Sequence, residues 1–198
     1  KPWSWTAAAR LVSNRRYLVF IGAAGCAQAS HAVFYGFGTI SWRSVGFGEG
    51  ALGGRWSLGA VAEIGVFALA ARLGRFASAP ALLAIAGIGA LVRWPLTAVT
   101  HDLYAVGALQ LLHGLTFGAA HLGAMRYLQD NAPEGLEATA QAFYYALVSG
   151  VVMGMAMPAA GFFYDAYGQL AYLAMGALGA VGVGLSLLLG GMMKNPHQ

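Results

Sequence analysis

A chain of 198 residues, 59% hydrophobic and only 9% charged, cannot cover a water-exposed surface, for which soluble domains use roughly 25% charged residues. Its net charge of +4 comes from eleven basic residues scattered between apolar runs, with no continuous stripe for a phosphate backbone, so nucleic acid is excluded as a partner. The composition points to an integral membrane protein solvated by the lipid bilayer, and the 29 glycines fit that reading because small residues let helices approach closely in lipid.

In chain order, residues 1–16 carry Trp3, Trp5, Leu11 and Val12 among Arg10, Arg15 and Arg16. This pattern reads either as an amphipathic connector on the cytoplasmic membrane surface or as a disordered linker. The chain opens at Lys1 without a methionine, and we expect an amino-terminal portion to precede it. Six apolar stretches follow, at about 17–42, 52–71, 80–100, 103–127, 138–163 and 169–193, and residues 194–198 form a tail. A span needs roughly 20 apolar residues, and these runs lack the alternation of barrel strands, so the expected fold is all-α with six transmembrane helices over 17–193. With six spans the termini share a side. That side receives Lys1, Arg10, Arg15, Arg16, Arg72, Arg75, Arg126 and Lys194, against Arg43, Arg55 and Arg93 on the other, which places both termini in the cytoplasm.

The first and fourth spans share a pattern, Q-x2-H-x3-[YF]-G. It occurs as Gln28-Ala-Ser-His31-Ala-Val-Phe-Tyr35-Gly36 and as Gln110-Leu-Leu-His113-Gly-Leu-Thr-Phe117-Gly118. Three spans separate the two starts, so the expected arrangement is two inverted three-helix repeats, about 17–100 and 103–193.

Ionisable groups at membrane depth are costly and face a bundle interior or an aqueous path. Glu63 lies mid-way along the second span among apolar residues, where its charged form is disfavoured. It reads as a group that binds and releases a proton, or as a structural carboxylate paired with Arg or His across the bundle. Arg93 in the third span must find an anion, carbonyl or water, as a partner of Glu63, a receptor for a substrate carboxylate, or a cation reaching the interface. His31 and His113, with Gln28 and Gln110 one turn earlier, are candidates for a polar cavity, as is His121 further along the fourth span. Phe34, Tyr35 and Trp94, with Phe37, Trp42, Trp56, Tyr144 and Tyr145, could line an apolar pocket or serve as packing and interfacial anchors.

Several patterns carry no chemistry. Gly48-Glu-Gly50-Ala-Leu-Gly53 follows no predicted strand, so it is a turn rather than a dinucleotide site, and Ser149 lacks an intramembrane protease context. Cys26 is the only cysteine, which excludes an intramolecular disulfide, and no metal-binding pattern or cofactor motif appears. The chain is not expected to be an enzyme.

Two motifs carry a family resemblance over nearly the whole chain. Arg72-Leu-Gly-Arg75 resembles the loop motif of the major facilitator superfamily, with Ala71 and Phe76 departing from it, and Gly154-x3-Pro158-x2-Gly161-x2-Tyr164-Asp165-x2-Gly168 is similar to the end of that superfamily's eleventh helix. The resemblance implies the carboxy-terminal six helices of a twelve-helix transporter. More narrowly, Ser30-His31-Ala, Tyr35-Gly36-Phe37, Trp56-Ser-Leu-Gly59, Ala62-Glu63, Val92-Arg93-Trp94 and His121-Leu with Ala124-Met-Arg126-Tyr127 look like the 3-phenylpropionate permease family. Proton-driven uptake of an aromatic carboxylate across the bacterial inner membrane is what that likeness implies. Glu63, Arg93 and His113 are also similar, by helix and depth, to the polar centre of the lactose permease family, whose carboxylate three residues after the histidine is Thr116 here.

The expected function is therefore a secondary transporter half, with Glu63 and His113 in proton coupling and Arg93, His31, Gln28, Gln110, Tyr35, Phe34, His121 and Trp94 in the substrate or ionic network. Its expected partners are the bilayer, a small-molecule substrate with protons, and a missing amino-terminal six-helix half or a second copy. The other readings are a transport-inactive sensor or scaffold that keeps the fold, and a transporter of a different small solute such as a sugar or nucleoside.

Overall fold

The computed structural model describes residues 11, 13–70, 72, 77–132 and 134–194. Most of the 1–16 connector, the 195–198 part of the tail and, apart from Arg72, the Arg72-Leu-Gly-Arg75 loop lie outside the described residues. Among the described residues the chain is helical apart from short turns, without strands. The helices are α1 (Arg15–Ala29), α2 (Ala32–Ser44), α3 (Glu49–Ala68), α4 (Ala79–Val99), α5 (Leu103–Leu111), α6 (Ala120–Asn131), α7 (Glu137–Tyr145), α8 (Met153–Tyr167) and α9 (Tyr172–Lys194). A π-helical segment, Gly114–Ala119, joins α5 to α6, and a second, Ala146–Val152, joins α7 to α8.

Helix starts are set by side chains that satisfy otherwise unpaired amides. The Asn14 side chain accepts from the Arg16 and Tyr17 amides (2.9 and 3.2 Å), and Asp102 accepts from Tyr104 and Ala105 (3.0 and 2.8 Å). Ser78 caps α4 just before Pro80, whose ring suits the first helical turn. Between α1 and α2 the Ser30 hydroxyl donates to the Ala27 carbonyl (2.7 Å) and the helix breaks at Ser30 and His31.

Four helical runs among the described residues are long and apolar enough to cross a membrane: Arg15–Ser44, Ala79–Val99, Leu103–Asn131 and Glu137–Lys194. Helix α3 is not one of them, because Arg55, Glu63 and its glycines dilute its apolar content. The last run, 58 residues, is bent at Gly168, whose φ of 56° is a left-handed conformation that glycine adopts without steric penalty. The Gln169 side chain then donates to the Thr97 and Thr100 carbonyls (2.6 and 3.0 Å), tying this corner to the end of α4.

Glycines fix how the helices pack. A Cβ on Gly87 would lie 2.8 Å from the Gly179 carbonyl oxygen and one on Gly179 would lie 2.8 Å from that of Gly87, so α4 and α9 touch backbone to backbone. Gly176 against Pro95 and Gly190 against Pro80 show the two helices to be antiparallel. Gly22 with Leu185 and Gly182 with Cys26 make α9 antiparallel to α1 as well. Helix α3 runs parallel to the α5–α6 segment, with Gly107 beside Arg55, Gly114 beside Ala62 and Gly118 beside Val66, while α4 is antiparallel to that segment. Two apolar clusters result. One gathers Tyr17, Phe20, Tyr127, Tyr144 and Leu189, the other Phe34, Trp42, Trp94, Tyr172 and Met175. Of the buried polar residues, His31, Gln110, His113 and Thr116 lie along the chain between members of the two clusters, and Arg93 lies between Ala90 and Trp94 of the second.

Candidate functional site

Arg93 is the centre of the site. It projects from α4 with 0% exposure, and its guanidinium carbon sits 4.9 Å from the Phe34 ring centroid and 4.4 Å from that of Trp94. Those faces supply cation–π attraction, which strengthens once water is removed. Both of its terminal nitrogens donate to neutral acceptors, while the buried Nε has no partner. Nη1 donates to His113 Nδ1 (2.8 Å) and Thr116 Oγ1 (2.9 Å), and Nη2 donates to Gln110 Oε1 (2.9 Å).

Arginine can only donate, so His113 Nδ1 must be an acceptor and carry no proton. His113 is then the neutral Nε2–H tautomer, and Nε2 donates to the Glu63 carboxylate at 2.6 Å. The same logic fixes His31. Its Nδ1 lies 2.9 Å from the Ala27 carbonyl oxygen, which only accepts, so Nδ1 carries the hydrogen and Nε2 accepts from Thr116 Oγ1 at 3.0 Å. One hydrogen-bonded path therefore runs from Ala27 through His31, Thr116, Arg93 and His113 to Glu63, drawing on α1, the break after it, α4, the α5–α6 segment and α3.

Exposure along this path is uneven. The His113 side chain is 7% exposed and that of Glu63 is 25% exposed, whereas Arg93 is sealed. Glu63 and His113 line a cavity of about 190 Å³ with Phe34, Tyr35, Trp56, Gly59 and Ala60. Gly59 places α3 beside the His113 ring, where an added Cβ would make ordinary van der Waals contact at 3.5 Å. Typical small-molecule sites enclose about 300–1,000 Å³, so this cavity is smaller than a usual ligand pocket.

The structure brings together eight of the ten residues singled out from sequence: Glu63, His113, Arg93, His31, Gln110, Phe34, Trp94 and Tyr35. Tyr35 stacks on His31 at a centroid distance of 5.5 Å and faces the cavity. Gln28 and His121 do not join this group. They meet in a separate pocket of about 70 Å³ with Ala24, Phe117, Ala120, Tyr144, Tyr145 and Ser149. The π-helical segment accounts for His121, because its wider turn shifts the helix phase between His113 and His121.

Thr116 and Tyr172 are the residues that sequence reasoning underrated. Thr116 is named in the sequence only as the position lacking a carboxylate, yet its hydroxyl joins Arg93 to His31. Tyr172 is not singled out in the sequence, where it falls inside the sixth apolar stretch, yet it is buried and stacks on Trp94 at 5.6 Å and 18°. Thr116→Val keeps the shape while removing the bridge, leaving Arg93 one acceptor short and His31 without a donor. The expected loss is about 1–3 kcal/mol, read as earlier loss of monodisperse protein on heating in detergent, with Thr116→Ser restoring the wild-type curve.

Sequence comparison supplies the relatives. Residues 6–174 match the family model described as MFS_1 like family. The chain is 39% identical over 170 residues to a probable 3-phenylpropionic acid transporter of Escherichia coli (strain K12), covering 84% of this chain and 43% of that protein. It is 26% identical over 188 residues to the uncharacterized transporter YwbF of Bacillus subtilis (strain 168), covering 94% of this chain and 47% of that protein. The chain thus spans less than half the length of either relative. No solved structure matches it. The apolar helices and the family match together make this a multi-pass membrane protein of a transporter family, and the chain belongs to the MFS_1 like family within the major facilitator transporters.

Proposed function

We propose that the chain is the carboxy-terminal half of a proton-coupled secondary transporter that takes up a small aromatic carboxylate across a bacterial inner membrane. The observation that carries this reading is the path from sealed Arg93 through His113 to part-exposed Glu63 on a cavity wall. Such a path gives a proton a place to bind where a substrate can sense it. Phe34, Tyr35 and Trp56 provide aromatic faces for a ring, and the name of the Escherichia coli relative points to a phenylpropionate-like acid.

Six crossings with both ends on one side are supported by the packing directions, and the excess of Lys and Arg on that side supports its being cytoplasmic. The α1–α2 segment and α4 run one way, while α3, the α5–α6 segment and α9 run the other. Gly36 beside Met157 and Gly161 beside Phe37 align α8 with α2, so six successive segments alternate in direction. Two inverted repeats are supported by His31 and His113, which occupy equivalent motif positions and meet at 5.2 Å on oppositely running segments. Helices α3 and α8 leave apolar side chains uncovered, among them Ile64 and Met155 at 66% and 72% exposure, beside glycines with open space around them. These faces suit a second six-helix half completing the cavity by alternating access.

The test is uptake of labelled 3-phenylpropionate by the full-length protein in proteoliposomes under an imposed pH gradient. Glu63→Gln is expected to lower accumulation at least tenfold, and unchanged accumulation would remove Glu63 from coupling. Counterflow of preloaded label separates a transporter from a sensor that merely keeps the fold, since a sensor binds without exchange.

A further inference from the structure

The cavity presents one charge to a ligand, and it has the wrong sign for a carboxylate. Arg93 is the cation that would attract the substrate, but it is 0% exposed and covered by Phe34 and Trp94; Nη1 and Nη2 donate to Gln110, His113 and Thr116, and its unpartnered Nε is buried away from the cavity lining. The ionisable group that opens into the cavity is Glu63, its side chain 25% exposed. A carboxylate entering between Phe34, Tyr35 and Trp56 therefore meets the Glu63 carboxyl before anything positive. Two carboxylates cannot both ionise at hydrogen-bond distance, but they can share one proton.

We propose that the substrate carboxylate is held by protonated Glu63 itself, so that the transported proton lies in the hydrogen bond between Glu63 and the substrate. This rests on the aromatic-carboxylate reading above and assigns the contact within it. The other groups facing Glu63 are compatible. His113 Nε2–H continues to donate to one Glu63 oxygen, leaving the protonated oxygen free to donate outward. Tyr35, across the cavity on α2, has a hydroxyl that donates to either anion, and Arg93 reaches Glu63 only through His113.

Charge balance then yields coupling. Empty, the network pairs Arg93 with ionised Glu63 and is neutral, and with substrate anion and proton both bound it is neutral again. A proton alone leaves a net positive charge and a substrate alone leaves a net negative one, each costly to carry through a low-dielectric interior. Only the empty and doubly loaded forms cross readily, which is one-to-one, electroneutral symport. In Glu63→Gln the amide donates to the substrate without needing a proton.

The experiment measures equilibrium binding of 3-phenylpropionate and of its neutral amide, 3-phenylpropionamide, to the purified full-length protein across a pH series. In the wild type the carboxylate Kd should rise about tenfold per pH unit above the Glu63 titration midpoint. The amide Kd should stay flat, and Glu63→Gln should bind the carboxylate with a flat profile. A flat carboxylate profile in the wild type overturns the proposal while leaving the substrate reading intact. So does failure of Glu63→Gln to bind at any pH when it remains as monodisperse as wild type, and so does an amide profile that follows the carboxylate's. Absence of carboxylate binding in every variant at every pH sinks the aromatic-carboxylate reading and the proposal with it.

Discussion

Arg93→Ala is expected to abolish uptake and to make the protein the least heat-resistant of the site variants. The side chain fills the space between Phe34, Trp94, His113 and Gln110, so truncation opens a cavity as well as removing a charge. It also strands three buried acceptors, Gln110 Oε1, His113 Nδ1 and Thr116 Oγ1, at about 1–3 kcal/mol for each that finds no substitute. With the cation gone, ionised Glu63 makes the empty network net negative, and the form that must return without substrate becomes the costly one. Fluorescence-detected gel filtration after heating reads the first effect and proteoliposome uptake reads the second. Stability equal to wild type would show that the guanidinium network is not what joins α4 to the α5–α6 segment.

Two further substitutions separate charge from shape. Arg93→Lys keeps the charge, but a single ammonium cannot reach both Gln110 and the His113–Thr116 pair as the guanidinium fork does, so uptake should stay low. Arg93→Met with Glu63→Gln removes both charges and restores apolar volume. Buried ion pairs replaced by packed apolar groups are often no less stable, so this double variant should regain heat resistance over Arg93→Ala while remaining unable to accumulate substrate.

What the sequence made legible follows from the strength of each signal in lipid. Long apolar runs and isolated ionisable residues stand out, so the helical class, Glu63, Arg93 and the two histidine motifs could be found by inspection. That Gln110 and His113 would share a face followed from their spacing in the fourth span, whereas Gln28 and His31 do not behave alike. The break at Ser30 and His31 turns the imidazole toward Thr116 and leaves Gln28 beside His121. Breaks and π-helical turns depend on a few local hydrogen bonds that leave hydropathy unchanged, so the phase of residues beyond them cannot be counted off at 3.6 per turn. Thr116 was hidden for another reason. Comparison with a carboxylate marks what is lacking there, and only the folded structure shows a hydroxyl that accepts from Arg93 while donating to His31.

Gly179→Leu should be the most damaging substitution outside the polar network, leaving little folded protein in the membrane. An added Cβ would meet the Gly87 carbonyl oxygen at 2.8 Å, Ala90 Cβ at 2.9 Å and the Leu91 amide nitrogen at 2.9 Å, contacts closer than real Cβ atoms make. Two of the three are backbone and cannot rotate away, so α9 must separate from α4. Lipid gives helices no hydrophobic drive to associate, and what holds this pair is the van der Waals contact that such a gap forfeits. The damage reaches the site because Trp94, which covers Arg93, stacks on Tyr172 at the start of α9. Gly184→Leu is the matched control. It sits in the same helix with nothing within 4 Å of its would-be Cβ, and it should express and transport as wild type does. Equal loss in both variants would assign the effect to α9 glycines in general. Loss confined to Gly179 would show that the closeness of α4 and α9 is what the folded protein depends on.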